Sequence, residues 1–203
     1  LLTRLFCDAP REAGVIYPVT QTPDNEDSVL TASADLWCDR RVMGDQVAVL
    51  VSNGPDNVGY RGAARWKRIL ISEGVNEGSI HLVPALPGSF NTLTESIAFA
   101  RCALDRGVRT AIAVAPAFHL LRAATSLVTA VIREYGDLKL YFQTGDPLPW
   151  HEEVVHSQGS LKATRAKLLK VELEKVDEYT AKGDLVSAAE VLDYLDRRDH
   201  GNG

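Results

Sequence analysis

The chain is poor in the residues that tie a fold to staples, metals or membranes. Its 203 residues include three cysteines and one methionine. Cys7, Cys38 and Cys102 share no C-x-x-C or Cys/His spacing, which excludes a zinc-finger set and a disulfide framework. Cys38 and Cys102 fall inside helical patterns, where free cysteine behaves as a small hydrophobe, so a reducing, cytoplasmic setting is expected. Apolar runs such as Val47 to Val51 and Thr110 to Ala117 stop far below the roughly 20 residues of a helical bilayer span, and no membrane segment is expected. The opening LLTRLFCDAPREAG is too short and too charged for an intact secretory signal. The net charge is −5 and no basic cluster is present. Phosphate neutralisation needs a clustered basic face, so no nucleic-acid partner is expected.

Familiar cofactor motifs are missing as well. No G-x-G-x-x-G, no G-x-x-x-x-G-K-[ST] and no G-x-S-x-G occurs, which disfavours the dinucleotide fold, the P-loop and the α/β-hydrolase elbow. HEEVVH (151–156) resembles a zinc-protease motif, but its histidines are one residue too far apart to share a helix face. No three ligand-type side chains stand at a spacing one element would present together, so metal independence is expected.

What is present is a chain that is 45% hydrophobic and 24% charged, enough to bury a full core. Short β-branched runs alternate with amphipathic stretches: strand about 14–20, helix 23–42, strand 46–52, helix 58–73, strand 79–83, helix 92–106, strand 110–115, helix 117–135 and strand 138–143. Repeated βαβ units of this kind build a three-layer, Rossmann-like open parallel sheet of about five strands. The order 3-2-1-4-5 is predicted, because that reversal sets the first and fourth strand-to-helix loops side by side. QTGDPLPWHEEVVHSQG (143–159) then reads as a long irregular segment. Two helices close the chain. The first (about 160–182) carries a stripe of Leu161, Leu168, Leu169, Leu173 and Val176, with Gly183 ending it and Asp184 capping the second. The reading is a domain over 1–159 and a helical hairpin over 160–203.

In open parallel sheets ligands bind beyond the carboxyl ends of the strands. The loops there read TQTPDNED (20–27), SNGPDN (52–57), PALPGSFNT (84–92) and APAFH (115–119), followed by the long segment. Thr20, Gln21, Ser52, Asn53 and Gly54 are therefore ligand-binding candidates. Thr22 and Pro23 read as a helix start with Asp24, Glu26 and Asp27 at its positive end, and need no catalytic role. Thr92 and Glu95 fit a T-x-x-E capping box. Asn91 before it is left to face the crevice, and all three are assigned to the ligand site. The long segment is expected to be a mobile cover that brings His151, His156 or Gln158 over a ligand.

The fourth helix is the most informative. With Pro116 as its first residue, Ala115 is the cap and offers no side-chain oxygen, so open amides invite an anion. His119 and Arg122, three apart on one face, would add a donor and a fixed cation to that anion and are the catalytic candidates. The competing reading pairs Arg122 with a nearby carboxylate and leaves His119 structural.

SNG, FNTLTES and FHLLRA, in that order and on those elements, resemble the YdcF-like (SanA/ElyC) domain family over about residues 14–143. Asn91, Thr92, Glu95, His119, Arg122 and Ala123 agree with its pattern. Asn53, Ser96 and Ala115-Pro116 depart from it, as does TQTPDNED. The resemblance implies a Rossmann-like sheet, an S-adenosylmethionine or nucleotide-like ligand and, in membrane-anchored relatives, a link to envelope glycan metabolism. The expected function is a transferase or hydrolase acting on an anionic small molecule, with Arg122 holding the anion and His119 as general acid or base. The alternative is a non-catalytic S-adenosylmethionine or nucleotide-binding module. A third reading makes LLKVELEKVDEY a partner-binding face. The oligomeric state is left open.

Overall fold

The computed structural model describes the chain apart from residues 7, 9–12, 55, 57–58, 89, 157–158 and 201–203. The β-branched runs form β1 (Val15–Pro18), β2 (Ala48–Asn53), β3 (Ile80–Pro84), β4 (Thr110–Ala115) and β5 (Lys139–Thr144). All five pair in parallel in the order β3-β2-β1-β4-β5, as the loop argument predicted. In the central strand β1, Ile16 lies opposite Val49 on one side and Ile112 on the other.

Helices cover both faces. They are α1 (Leu2–Phe6), α2 (Pro23–Val42), α3 (Ala63–Ser72), α4 (Thr92–Asp105), α5 (Leu120–Glu134), α6 (Arg165–Ala181) and α7 (Ala188–His200). Successive strand residues point to opposite faces, and β4 shows it: Ala111, Ala113 and Ala115 join one core while Ile112 and Val114 join the other. The small alanines face Leu120, Leu127 and Val128 of α5, and Phe99 of α4 stacks on Tyr17 of β1 at 4.3 Å. On the opposite face Trp66 of α3 packs with Val29 and Leu30 of α2.

The outer edge of β5 is closed by side chains. The Tyr194 hydroxyl accepts from the Leu140 N–H at 2.8 Å and donates to the Leu138 carbonyl at 2.7 Å. Arg198 donates to the Leu140 carbonyl, and Asp8 accepts from the Phe142 N–H. These groups use the backbone positions that an added strand would need.

The C-terminal third departs from the sequence reading. Residues 143–159 are not wholly irregular: β6 (Glu153–His156) pairs antiparallel with β7 (Leu161–Thr164), Val154 opposite Ala163. Four-residue strands are too short to leave a periodic signal, and Val154 is fixed by tertiary burial against Phe118 and Leu168. Helix α6 therefore starts at Arg165, capped by the Thr164 hydroxyl, and Leu161 lies on a strand. The buried line of α6 is Arg165, Leu168 and Glu172, whereas Leu173 is 37% exposed. Gly183 takes φ +77° as expected of a helix-ending glycine. The cap of α7 is Ser187, which exchanges hydrogen bonds with Glu190, and not Asp184. The 159/160 division falls in the turn between the paired strands β6 and β7.

Candidate functional site

The carboxyl ends of β1, β2 and β4 meet the start of α4 at the switch point of the sheet. Asn91 caps α4: its side chain accepts from the Leu93 and Thr94 N–H groups, and the Thr94 hydroxyl accepts from the Asn91 N–H. The capping box is thus Asn91 and Thr94, one residue earlier than the Thr92–Glu95 box read from sequence. Asparagine outcompetes threonine because its carbonyl oxygen spans two orphan N–H groups. The cap changes which side chains are free of backbone duties. Asn91 caps the helix, while the Thr92 side chain meets Arg122 and the Glu95 side chain meets Thr20.

Glu95 is 7% exposed. Its two carboxylate oxygens each lie 2.6 Å from the Thr20 hydroxyl of the β1–α2 loop. Burial pushes its carboxyl up to about 7, against the opposing hydrogen bonds from Thr20 and Ser52 and the charge of Arg122. Thr92 accepts from the Arg122 Nη1 at 2.7 Å. Thr20, Ser52, Thr92, Glu95 and Arg122 therefore form one connected set.

Helix α5 begins later than expected. The His119 N–H closes a turn onto the Pro116 carbonyl, and His119, not Ala115, stands at the N-cap. Pro116 contributes only its carbonyl to that turn. His119 and Arg122 still share the first turn, and the negative charge that meets them comes from the chain itself. Glu172 of α6, with no exposed surface, approaches the His119 Nδ1 at 2.6 Å and accepts from the Arg122 Nε at 2.5 Å. Its other oxygen lies 3.0 Å from the His156 Nε2 of β6. Burial would push the Glu172 carboxyl up, but it is held far below the carboxylate range by His119, His156 and Arg122. Burial pushes His119 down to about 4, helped by Arg122 and His156 and opposed by Glu172. At neutral pH the Glu172 carboxylate lies beside the Arg122 guanidinium and the neutral imidazole of His119. Glu172 then takes the Nδ1–H and leaves the His119 Nε2 as a lone-pair acceptor.

No family model, no curated protein and no solved structure matches the chain.

His119, His156 and Glu172 bring three ligand-type atoms within 4.8 Å of one another. They come from α5, β6 and α6, so spacing within one element had no bearing on them. The Arg122 guanidinium shares the Glu172 oxygen with His119, and a divalent cation there would meet a fixed positive charge desolvated beside it.

The remaining candidates sort by position. Gln21 is buried, its amide nitrogen 3.4 Å from the Val19 carbonyl, and its Oε1 accepts from no described group. Asn53 is exposed at the end of β2. Gly54 is a steric requirement: a Cβ there would lie 2.1 Å from the Phe90 ring. His151 is exposed, His156 is buried in the cluster, and Gln158 lies outside the described residues. Glu172 is the residue the sequence reading missed. It stands four residues after Leu168 and four before Val176, and a charge inside an apolar helical stripe is the signal that marks it.

Proposed function

We propose that this chain is an enzyme that transfers or hydrolyses a group on an anionic small molecule at the carboxyl edge of its sheet. The observation that carries the reading is Glu95: a buried carboxyl poised near neutrality, tied to Thr20 and Ser52 and lying in the field of the Arg122 charge. A group whose pKa sits near the working pH gives and takes protons most effectively. Arg122 donates to Glu172 and Thr92 and holds its Nη2 3.4 Å from the His119 Nδ1, and the remaining N–H groups of its planar fork are the ones an anion would use. His119, neutral and oriented by Glu172, offers Nε2 to a water or hydroxyl nucleophile.

A second reading, a non-catalytic S-adenosylmethionine or nucleotide-binding module, is favoured by Gln21. Its buried Oε1 lacks a donor and suits a ligand N–H such as the exocyclic amine of adenine. Calorimetry with inorganic phosphate, adenosine monophosphate and S-adenosylmethionine, beside hydrolysis assays on aryl phosphates and carboxylate esters, separates the two. Under the enzymatic reading Glu95→Gln lowers turnover about 10²- to 10⁴-fold and leaves affinity within a few fold. Arg122→Lys weakens anion binding through loss of the fork, although the charge is kept. Binding without turnover supports the module. If Arg122→Lys lowers only the thermal midpoint and none of the three probes binds, both readings fall.

A further inference from the structure

A second concavity lies between the loops that follow β4 and β5, with a volume of about 170 Å³. We infer that it binds an organic cation whose apolar body is about the size of a benzene ring. A cavity of about 150 Å³ lined by apolar side chains holds benzene, so the volume suits one ring. Pro116, Ala117, Phe118, Leu148 and Trp150 supply apolar walls. Phe118 also meets the His156 ring edge-on at 5.2 Å, so the pocket adjoins the Glu172 cluster without sharing its polar groups.

The shape is built rather than incidental. Gly145 lines the pocket with its N–H donated to the Ala115 carbonyl, and a Cβ there would lie 2.4 Å from the Ser28 Oγ and 2.7 Å from the Ser28 carbonyl oxygen. Ser28 then pins the next residue from both sides: its carbonyl accepts from the Asp146 N–H, and its hydroxyl donates to the Asp146 carbonyl. The backbone of Asp146 is thereby fixed at the pocket.

Charge selects the ligand class. The Asp146 carboxylate has no ion pair or hydrogen bond to any described residue, and the nearby Asp35 adds a second negative charge. Partial burial and Asp35 push its carboxyl up, a cost that a bound cation would relieve. Among the described residues, Arg165 is the only cation lining the pocket, and it is committed elsewhere. It pairs with Glu152 at 2.5 Å and donates to Asn25 and to the Pro149 and Asp24 carbonyls. Trp150 completes the selection. It is 46% exposed whereas Trp37 and Trp66 are buried, and an indole face attracts a cation. An alkylammonium on a single ring satisfies the walls, the carboxylate and the indole together. This assignment stands independently of the Glu95–Arg122 reading.

The test is an amide and indole NMR titration of the ¹⁵N-labelled chain with benzylammonium, benzyl alcohol and benzoate. Saturable shifts at the Gly145 amide and the Trp150 indole are expected with benzylammonium in the millimolar range, weaker with the alcohol and absent with benzoate. Asp146→Asn should bring benzylammonium down to the affinity of benzyl alcohol. Trp150→Ala, at an exposed position, should weaken benzylammonium about 5-fold, the worth of an exposed cation–π contact. Ala117→Leu fills the space and should abolish both bindings with the thermal midpoint retained. Equal affinity for all three probes, or an ammonium preference that survives Asp146→Asn, overturns the assignment, as does the absence of saturable shifts with benzylammonium.

Discussion

Glu172 is ionised with no exposed surface because three groups from two other elements converge on it: Arg122, His119 and His156. Such a group stabilises only as part of the set. Removing one partner of a buried pair leaves an uncompensated charge, at a cost of about 3–5 kcal/mol. Glu172→Ala is therefore expected to lower stability by that amount, read by urea denaturation. Arg122→Met made in the same background should recover part of the loss, because the cation is no longer stranded. If the single variant costs under about 1 kcal/mol, water reaches the cluster and the charges are not desolvated. Glu95, one network away, is held differently. Hydroxyls meet its carboxylate and leave its charge only partly matched, which is why it titrates near neutrality while Glu172 does not.

At the scale of elements, β5 is an edge strand made safe by α7. Tyr194 serves both a carbonyl and an N–H of the strand, so Tyr194→Phe leaves two buried backbone groups without partners. A loss of about 1–3 kcal/mol follows from their desolvation. Amide exchange at Leu140 should accelerate in the variant more than exchange at Ile112 in β4. Equal acceleration would mean that exchange there reports global unfolding rather than a released edge. The β6–β7 hairpin is anchored at its base by Arg165, which bonds Asn25 and the Asp24 carbonyl of α2. The mobile-cover expectation for 143–159 thus narrows, among the described residues, to the segment before β6, where ligand-dependent slowing of exchange would have to appear.

For the whole molecule, two buried groups set opposing pH slopes. Glu95 has a folded pKa raised to about 7, so its contribution is fully present below the unfolded value of about 4.3 and is lost as pH rises through 7. The loss amounts to about 4 kcal/mol. His119 has a folded pKa lowered to about 4, so its contribution is present above the unfolded value of about 6.5 and is lost as pH falls toward 4. The two slopes share one window, from about pH 4 to pH 7, and offset each other there, so wild-type denaturation midpoints should change little between pH 5 and pH 8. Glu95→Gln should leave a midpoint that rises with pH across pH 5 to 7, and His119→Gln one that falls. A Glu95→Gln variant that tracks the wild type between pH 5 and pH 8 would show that Glu95 is ionised throughout.

The sheet was legible because periodicity is local. Each strand carries its own β-branched run, each helix its own apolar stripe, and the 3-2-1-4-5 order follows from where loops must meet. His119, Arg122, Thr92 and Glu95 were legible as neighbours on single helix turns. The capping of α4 was misread because Asn91 and Thr92 compete for one role, and only the backbone geometry at the turn decides between them. Glu172 was marked only as a charge inside an apolar stripe; its partners His119, Arg122 and His156, and the Phe118 and Leu168 that bury Val154 of the β6–β7 hairpin, lie more than ten residues away in sequence and were not legible. Residue order alone determined the layers, the strand order and the side of the sheet on which chemistry would gather. Tertiary structure alone decided which carboxylate meets Arg122, because a buried charge takes the partner that packing brings to it.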